Sequence, residues 1–564
     1  MLILLINAVT NLQAQKTVKE YLESRNEAYI KIKYNSENDI EIIKNIVYLD
    51  NYKSKEKANE IYAYINQNQY NDLLKTNFEF EVQTPPSMVK AVDMCVDNNA
   101  VENWNCYPTY DQYVYLMNKF AADYPEICSL HEIGNSVENR KVLALKISDN
   151  VELHEEEPAF FYTSTMHGDE VVGYILMLRL TSYLLSNYET DDRIKELINK
   201  NEIWINPLAN PDGTYASGNS TVNDATRTNA NSFDLNRNFP DPVDGEYPNG
   251  TRQPETQDMM SFMQTNKFSL SANFHGGAEV VNYPWDTWSK RHADDLWYQN
   301  ISAQYADTVH DNSSGYMTGF VDGITNGNDW YWINGGRQDY VNYYLHSRET
   351  TIELSQTKMP AASELNNYWN YNYRSFLNYI AALNTGVKGK TTDIDGNPIK
   401  AKVYIQTDSD SSEVYSEAEN GMFYRLLNPG NYNFIFKTSG YLQKEFTDIY
   451  VYSGNQTELN VQFDQIGNDP DPDPDTNPEY SNKLVSFQNP FIENIQFEIE
   501  LAEDAEIQIS IYNISGKKVL ETDSKLYFSG PNSFTINTQS LFSGFYVCIF
   551  KSVNFSFKLK LVKV

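Results

Sequence analysis

Apolar runs and amphipathic stretches alternate between residues 101 and 385. Short apolar runs typical of buried strands lie at 158–164, 203–205, 270–274 and 349–354. Residues 171–185 follow the first run with the spacing of an amphipathic helix. Strand and helix patterns that alternate in this way are typical of a sheet covered by helices on both faces. We therefore predict an α/β fold, a mixed-sheet α/β/α domain at 101–385.

Strand and turn patterns without helices follow this domain. Short alternating runs, separated by turn signals such as Asp395-Gly396, predict a small all-β sandwich at 386–465. Similar runs predict a second all-β domain at 481–564. Between the two, residues 466–480 are rich in Asp and Pro, which keep a chain extended and predict a linker.

The first hundred residues divide into an apolar start and a polar segment. Residues 1–15 combine an apolar run with the small residue Ala14, so we predict a signal peptide although the usual basic residues are missing. Residues 16–100 are rich in Lys, Glu, Asn and Tyr and are expected to form either a removable pro-segment or an accessory domain. Within them we predict a helix at 55–66 and a strand at 76–82. No other stretch reaches the ~18 apolar residues of a membrane span.

Length, charge and cysteine content narrow the choice of function. At roughly 100–200 residues per domain, the 564 residues predict several domains. The formal net charge of −32 argues against nucleic-acid binding, because phosphate repels such a surface, and favours cationic ligands. The four cysteines are too few for a disulfide scaffold. One bridge among Cys95, Cys106 and Cys128 is compatible with an oxidising compartment, whereas Cys548 is expected to be a buried apolar residue.

Short strings of residues carry a candidate metal site. His167 and Glu170 lie three positions apart at a strand-to-helix turn, and His275 follows a buried strand. Two His and one Glu form the ligand set of a catalytic zinc with one position left for water. Glu353 lies in an apolar strand, where a carboxylate is costly without a compensating partner, and is suited to shuttle protons in zinc hydrolysis. Because His167, His275 and Glu353 fall near the carboxyl ends of predicted strands, we expect them to meet at one sheet edge.

A second polar group lies between the two candidate histidines. The planar guanidinium of Arg237, together with Asn236, is suited to hold a free α-carboxylate through paired hydrogen bonds. Arg227 is suited to face the oxyanion that develops when an amide is hydrolysed. Asp234 is well placed to orient a zinc-bound imidazole.

Taken together, these strings resemble the zinc metallocarboxypeptidase family, in the branch of carboxypeptidases E, N and D. The resemblance covers about residues 101–465 and extends to segments beyond those discussed above. The matching segments are His167 to Glu170, Asn206-Pro207, Asn210 to Gly213, Asp234 to Pro240, His275 to Trp285, Ile324 to Gly327, Gly335 to Tyr340 and Thr351 to Leu354. The all-β sandwich at 386–465 resembles the transthyretin-like domain of the same branch.

The resemblance implies a cofactor and catalytic residues. One Zn²⁺ would be held in the catalytic domain by His167, Glu170 and His275. Glu353 would be the catalytic base, Arg227 would assist the oxyanion, and Tyr331 matches the mobile tyrosine of the family.

The resemblance also implies a substrate. Asn236 and Arg237 would anchor the terminal carboxylate of a peptide or protein. Asp286 and Gln338 match pocket positions that favour a terminal Lys or Arg. Arg337 departs from the apolar residue expected there. If Arg337 points into the pocket it would repel basic substrates, so the preferred terminal residue stays open.

The last domain resembles the sorting domain of the bacterial type IX secretion system. The resemblance rests on Asn489-Pro490-Phe491, Ile511 to Lys518 and Leu541 to Tyr546. It implies export, with the secretion machinery as a partner and the protein secreted or attached at the cell surface. A carbohydrate-binding sandwich is the alternative for this domain.

The resemblances together imply a secreted zinc carboxypeptidase that removes one C-terminal residue, with Lys or Arg as the favoured residue unless Arg337 points into the pocket. Two alternatives stay open at this point: a zinc amidohydrolase that trims cell-wall peptides, and an inactive peptide-binding surface protein. The presence of the complete ligand set with Glu353 and Arg227 argues against the inactive protein.

Overall fold

The computed structural model describes residues 17–50, 59–406, 412–466, 483–487, 491–501, 504–513, 517–522, 524–552 and 556–563. The predicted signal peptide and almost all of the predicted linker lie outside the described residues. Residue contacts divide the chain into two compact units, one comprising 1–436 and 443–463 and the other 437–442 and 464–564.

Residues 17–83 are here called the N-terminal domain, and their described parts, 17–50 and 59–83, form a small antiparallel sheet with three α-helices. The strands are β1 (Ala28–Lys33), β2 (Tyr48–Leu49), β3 (Glu60–Ile65) and β4 (Phe80–Gln83), in the order β2-β3-β1-β4. The helices are α1 (Val18–Arg25), α2 (Glu37–Lys44) and α3 (Gln67–Leu73). Side chains such as Ile30, Ile32 and Ile43 give this domain a hydrophobic core of its own.

The helix predicted at 55–66 is wrong where the structure describes it. Strand β3 occupies Glu60–Ile65, because Ile61, Ala63 and Ile65 alternate toward the core and are at most 1% exposed. This two-residue period outweighs the helix-favouring Lys and Glu residues that precede it. The strand predicted at 76–82 begins later, with β4 at Phe80.

An eight-stranded mixed sheet covered by helices follows, as the alternating pattern predicted. Its strands are β5 (Cys128–Asn135), β6 (Lys141–Ile147), β7 (Ala159–Ser164), β8 (Glu202–Asn206), β9 (Leu270–His275), β10 (Glu279–Tyr283), β11 (Ile324–Asn326) and β12 (Arg348–Leu354). Their order is β11-β10-β12-β9-β7-β8-β6-β5. The α-helices are α4 (Asn98–Val101), α5 (Tyr110–Asp123), α6 (Val172–Asn187), α7 (Asp192–Ile198), α8 (Pro211–Thr214), α9 (Pro254–Asn266), α10 (Asp295–Asn312), α11 (Gly327–Trp330), α12 (Arg337–Tyr344) and α13 (Leu365–Ala381). Short 3₁₀ helices lie at Pro86–Met88, Leu235–Arg237, Ala362–Glu364 and Ala382–Asn384.

Alternate residues of the central strands pack into different cores. Phe160 and Tyr162 of β7 share a core with α6 and α13. Their neighbour Phe161 packs with residues of α9 and α12 instead. Since successive side chains of a strand point to opposite faces, the sheet is covered by helices on both sides.

The register of the central strands sets the position of the site. Strand β9 pairs in parallel with β7 on one side and with β12 on the other, with Phe274 opposite Ser164 and His275 opposite Glu353. These strands therefore end at the same edge of the sheet, where an open α/β sheet places its ligand crevice.

Only strands and turns follow α13 and its short 3₁₀ extension among the described residues. In the first all-β region they are β13 (Gly386–Thr392), β14 (Lys402–Ile405), β15 (Val414–Tyr415), β16 (Met422–Leu426), β17 (Gly430–Lys437), β18 (Lys444–Val451), β19 (Gln456–Glu458) and β20 (Val461–Gln462). One sheet has the order β16-β13-β19, with β20 also paired to β13, and the other has the order β15-β14-β17-β18.

The C-terminal region is also built of strands. They are β21 (Lys483–Phe487), β22 (Asn494–Leu501), β23 (Ala505–Asn513), β24 (Lys518–Glu521), β25 (Lys525–Tyr527), β26 (Gly530–Asn537), β27 (Gly544–Lys551) and β28 (Ser556–Lys563). One sheet has the order β21-β22-β26 and the other β24-β23-β27-β28, with β25 paired to β23. The predicted fold class, an α/β domain followed by all-β domains, is confirmed.

The structure answers the open question of cysteine pairing. Cys95 and Cys106 form a disulfide, while Cys128 and Cys548 are buried free thiols. Within the described part of the chain, no helix combines the length and apolarity needed to cross a membrane.

Candidate active site

Three potential metal ligands meet where β7 and β9 end. Nδ1 of His275 lies 3.1 Å from Nδ1 of His167 and 2.9 Å from Oε2 of Glu170. The same Glu170 oxygen lies 3.0 Å from Nδ1 of His167. These separations let all three atoms face one ion at the usual ligand distance of about 2.0–2.2 Å. Each of the three residues is only 3% exposed.

The turn after β7 presents two of these ligands on one side. Thr165 has a positive φ of 62°, and its hydroxyl donates a hydrogen bond to the carbonyl of Glu170 at 3.2 Å. Gly168 packs so tightly that a Cβ there would lie 2.3 Å from the carbonyl carbon of Gly213. The turn therefore requires glycine between the two ligands.

Polar side chains contact the outer nitrogens of both imidazoles. Nε2 of His167 lies 3.1 Å from Oδ1 of Asp234, the residue predicted for this role. Nε2 of His275 lies 2.7 Å from the side-chain amide of Asn273, which the sequence patterns did not single out. Asn273 lies two residues before His275 on the same face of β9, so the strand period is the signal that could have found it. Such partners orient the ligand ring and fix which nitrogen faces a metal.

The two histidines have different electrostatic surroundings. Burial lowers the pKa of His275 to about 4, against the opposing effect of the Glu170 carboxylate. For His167, burial and the charge of Arg227 lower the pKa, but the carboxylates of Glu170 and Asp234 outweigh them and raise it. Because a metal binds the neutral imidazole, a cation that enters the site would displace any proton held by His167.

The donor set fits Zn²⁺. Two imidazoles and one carboxylate leave the open position of a catalytic zinc site. Oε2 of Glu353 is buried without a hydrogen-bond partner among the described residues, so it needs a group that the protein itself does not supply. The surrounding carboxylates also outnumber the nearby cations Arg227 and Lys358. These carboxylates are Asp169, Glu170, Asp234 and Glu353.

Glu353 lines the same cavity as the three potential ligands. Burial raises the pKa of Glu353 well above its usual value, and the Glu170 carboxylate adds to the rise. The charges of Lys358 and Arg227 oppose this rise. A divalent cation at the ligand site would also lower the pKa of Glu353. It would thereby favour the ionised form of Glu353, which is the form that can accept a proton.

Arg227 lies at the wall of this cavity. Its Nε donates to Oδ2 of Asp234 at 2.9 Å, and its Nη1 lies 3.5 Å from Oε1 of Glu170. The guanidinium is therefore fixed close to the ligands, where a donor to a developing oxyanion must be.

Asn236, Arg237 and Tyr331 form an adjoining group. Asn236 lines the cavity, and its Oδ1 accepts a hydrogen bond from the backbone N–H of Arg337 at 2.9 Å. Nη1 of Arg237 donates to the carbonyl of Asn236 at 2.9 Å. Burial raises the pKa of Tyr331, while the nearby charges of Arg237 and Arg227 oppose that rise.

Asp286 lies in the wall of the same cavity and is 3% exposed. Its Oδ1 accepts hydrogen bonds from the amides of Asn282 at 3.0 Å and Gln338 at 3.1 Å. Oε1 of Gln338 accepts from the backbone N–H of Thr351 at 2.8 Å, so the amide can only present its NH₂ to Asp286. Gly327 packs directly against this carboxylate, since a Cβ there would lie 1.7 Å from Oδ1 of Asp286 and would displace it.

Arg337 does not line this cavity. Its side chain is fully buried, with Nη2 2.8 Å from Oε2 of Glu349 and the guanidinium 5.2 Å from the Phe161 ring centre. Glu349 also accepts a hydrogen bond from the hydroxyl of Ser271 at 2.7 Å. Glu349 therefore balances the charge of Arg337 inside the protein. Since Arg337 does not point into the pocket, it does not cause the repulsion of basic substrates considered from the sequence.

The structure brings all the predicted site residues together around one cavity or in contact with residues that line it. It also adds two charged residues that no sequence pattern indicated. Nζ of Lys358 lies 3.1 Å from Oε1 of Glu170. It also lies 3.2 Å from Oδ1 of Asp50, a residue of the N-terminal domain that lines the cavity.

Comparison with known proteins agrees with this geometry. The zinc carboxypeptidase family (Peptidase_M14) matches residues 113–375, and the secretion system C-terminal sorting domain (Por_Secre_tail) matches residues 487–564. Carboxypeptidase M of Mus musculus is 36% identical over 332 residues, 56% of this chain and 74% of that protein. The catalytic chain of carboxypeptidase N of Rattus norvegicus is 35% identical over 375 residues, 60% of this chain and 82% of that protein.

Some relatives are much longer than the matched segment. Carboxypeptidase D of Homo sapiens is 38% identical over 347 residues, 58% of this chain, but the match spans only 24% of the human protein. The similarity to the shorter relatives extends over most of their length. The segment matched by the family also contains the two histidines, Glu170 and Glu353 at the sheet edge. The chain therefore belongs to the zinc carboxypeptidase family.

Proposed function

We propose that this protein is a secreted zinc metallocarboxypeptidase that hydrolyses the last peptide bond of peptides or proteins ending in Lys or Arg. The observation that carries the proposal is that Asp286 lines the same cavity as the ligand set and Glu353. A cationic side chain paired with Asp286 would bring the bond that precedes it toward Glu353. The family supports peptide hydrolysis, and Asp286 supports the choice of residue.

The chemistry requires an activated carbonyl and a proton carrier. Zn²⁺ held by His167, Glu170 and His275 would polarise the peptide carbonyl and make water more acidic. Glu353 takes a proton from the water as the water oxygen adds to the carbonyl carbon. Glu353 then delivers that proton to the amide nitrogen. The C–N bond breaks, and the second proton of the water passes from the new carboxyl group to the released amine. The products are a free amino acid and a shortened peptide with a new carboxylate.

Other side chains of the cavity hold the substrate in place. Arg227 donates to the carbonyl oxygen as negative charge develops there. Asn236 and Arg237 bind the terminal carboxylate, which selects for the last residue of a chain. Asp286, fixed by Gln338, pairs with the cationic side chain. The pairing of Arg337 with Glu349 supports this preference. Arg337 stands where an apolar residue was expected, but its positive charge does not face the substrate.

A peptide library varied only at its last residue tests the proposal. The zinc-loaded full chain is expected to release Lys and Arg, and a chelator should abolish the release. D-configured or diamino acid ends in the same library test the amidohydrolase alternative. Release of Leu or Glu at rates equal to those of Lys would contradict the basic preference.

The role of Glu353 is tested by Glu353→Gln. We expect kcat to fall by roughly 10²–10⁴, because the amide cannot carry the proton, while the zinc content stays at one per chain. Metal analysis of the same sample separates a lost proton carrier from a lost metal. Unchanged turnover in the zinc-loaded variant would be incompatible with this mechanism.

The C-terminal domain supports a proposal about export. Residues 487–564 match a secretion sorting domain, which supports delivery outside the bacterial cell through the type IX machinery. Removing residues 481–564 should leave the enzyme inside the producing cell, as cell fractionation would show. Equal export of the truncated chain would contradict this role.

A further inference from the structure

The segment that follows β8, residues 207–214, contains the string Asn-Pro-Asp-Gly, to which the proposed mechanism gives no role. Its backbone is bonded to the end of β7. The N–H of Ala209 donates to the carbonyl of Ser164 at 3.0 Å. The N–H of Asn210 donates to the carbonyl of Thr165 at 3.1 Å. The segment therefore meets the chain immediately before the turn that carries two potential metal ligands.

Asn210 also holds this turn with its side chain. The amide NH₂ donates to the carbonyl of Met166, the residue before the ligand His167, at 3.1 Å. The other end of the amide, Oδ1, accepts from the backbone N–H of Gly213 at 2.9 Å. Asn210 is fully buried. Because both ends of the amide are bonded to backbone groups, the side chain cannot turn over without leaving both groups unpaired.

Thr214 supplies a second side-chain contact to the same turn. Its hydroxyl donates to the carbonyl of Gly168 at 2.9 Å, and the side chain is fully buried. Met166 and Gly168 are the residues on either side of His167 in the chain. Side chains of one short segment therefore bind both of the carbonyls that flank this ligand.

The segment also contacts the loop that carries the proposed oxyanion donor. Nδ2 of Asn210 lies 3.5 Å from the carbonyl oxygen of Arg227. The backbone N–H of Gly168 donates to this same carbonyl at 3.2 Å. The carbonyl of Gly213 accepts from the backbone N–H of Thr226 at 2.8 Å. The ligand turn, the segment and the loop therefore meet at the carbonyl of Arg227.

Resting on the proposed function, we propose that Asn210 is a positioning residue that fixes His167 and Arg227 relative to each other. In the proposed reaction, His167 holds the metal and Arg227 donates to the carbonyl oxygen that this metal polarises. The separation of the two groups must therefore match one substrate atom, and a misplacement of about 1 Å can cost roughly 10²-fold in rate. Asn210 acts through these two groups, and Thr214 assists it by holding Gly168.

Asn206 offers a matched control in the same connection. It is also a fully buried asparagine. Its Nδ2 donates to the carbonyl of Leu143 at 2.7 Å, and its Oδ1 accepts from the hydroxyl of Thr163 at 3.0 Å. Asn206→Ala therefore removes a buried amide of the same kind, whose partners lie outside the ligand turn and the Arg227 loop.

The first experiment compares the full chain with Asn210→Ala, Thr214→Val, the conservative Thr214→Ser and the control Asn206→Ala. Competition with a chromophoric chelator gives the zinc affinity, and urea unfolding of the same proteins gives their stability. We expect Asn210→Ala and Thr214→Val to bind zinc roughly 10–100-fold more weakly, because the turn no longer holds His167 in place. Thr214→Ser and Asn206→Ala should keep the wild-type affinity. A purely structural role would lower the stability of both asparagine variants without separating their zinc affinities.

The second experiment tests the link to Arg227 at saturating zinc with a peptide ending in Lys. Arg227→Ala should lower kcat by roughly 10²–10³, since it removes the oxyanion donor. Asn210→Ala should lower kcat by roughly tenfold or more in the wild type. If Asn210 positions Arg227, the same substitution costs clearly less in the Arg227→Ala background, because the group it positions is already missing.

The outcomes separate this role from the proposed function. Equal zinc affinity in Asn210→Ala and Asn206→Ala, or an equal loss of kcat in both backgrounds, overturns the positioning role and leaves the proposed function intact. If the wild type binds zinc but cleaves no peptide, the proposed function fails, and the zinc affinities alone decide the role of Asn210. If Asn210→Ala does not fold, Thr214→Val and Thr214→Ser decide, and equal zinc affinity in these two variants overturns the proposal.

Discussion

Asp286, the residue proposed to pair with the cationic side chain of the substrate, has a pKa above its usual value. The side chain is buried, and burial raises the pKa of Asp286 to about 6. The amide of Asn282 and the charge of Arg237 oppose this rise, but they do not remove it. A carboxylate that is costly to ionise in the free enzyme gains most when a cation arrives beside it.

This pKa predicts how the substrate preference depends on pH. Above about 6 Asp286 is ionised and attracts a terminal Lys, and as the pH falls below about 6 it takes up a proton and loses that attraction. The ratio of kcat/KM for a peptide ending in Lys to that for one ending in Leu should therefore fall as the pH is lowered. Taking the ratio cancels the titration of Glu353, which both substrates share.

Asp286→Asn is the matched variant for this measurement. It should lower the Lys-to-Leu ratio at neutral pH and make the ratio independent of pH between 5 and 8. A wild-type ratio that stays constant over this range would exclude Asp286 as the group that selects the substrate.

The turn between β7 and α6 carries two of the three potential metal ligands, His167 and Glu170. Gly168 lies between His167 and Glu170 and contacts the backbone of Gly213. Backbone cannot move aside as the end of a flexible side chain can. A side chain at this position therefore has to displace the turn together with both ligands.

Gly168→Ala tests this dependence. We expect a loss of about 1–3 kcal/mol in the free energy of unfolding from overpacking, and a reduction in zinc affinity of roughly 10–100-fold. Thermal unfolding and competition with a chromophoric chelator measure the two effects. Gly276→Ala is the control, because a Cβ there would meet its nearest atom at 3.7 Å, an ordinary contact. Equal zinc affinity in the two variants would show that the turn does not position the ligands.

Sequence patterns predicted the potential metal ligands and Glu353, but they missed strand β3 and the contacts between domains. The ligands and Glu353 were predictable because each ends or interrupts an apolar run, and the ends of neighbouring strands meet. The contact of Tyr64 with Asp169 spans 105 residues and joins two domains, so no local period indicates it. Strand β3 was missed because helix-favouring residues precede an alternation of only six residues. The side-chain direction of Arg337 depends on Glu349, which only the folded sheet brings near.

The buried carboxylate of Asp294 joins the α/β domain to the all-β region that follows it. Oδ2 of Asp294 lies 2.7 Å from Nη2 of Arg348 on β12 and 2.8 Å from Nη1 of Arg425 on β16. Oδ1 lies 2.7 Å from Nη2 of Arg425. Burial raises the pKa of Asp294, but the two guanidinium groups outweigh it and hold the pKa below its usual value.

Asp294→Asn should therefore destabilise both domains at once. Removing the carboxylate leaves two buried guanidinium groups without their shared counter-charge, and breaking a buried pair of this kind costs about 3–5 kcal/mol. We expect a matching loss in the free energy of unfolding in urea. Asp295→Asn is the control, because the adjacent carboxylate accepts a hydrogen bond from Gln299 and is not shared by two buried guanidinium groups. Its loss should cost about 0.5 kcal/mol or less. If both variants lost the same stability, the cluster would not join the domains. If only Asp294→Asn is destabilised, the stability of the active-site sheet depends on the all-β region, although that region supplies none of the proposed site residues. The link is Arg348, which contacts Asp294 and begins β12, the strand that carries Glu353.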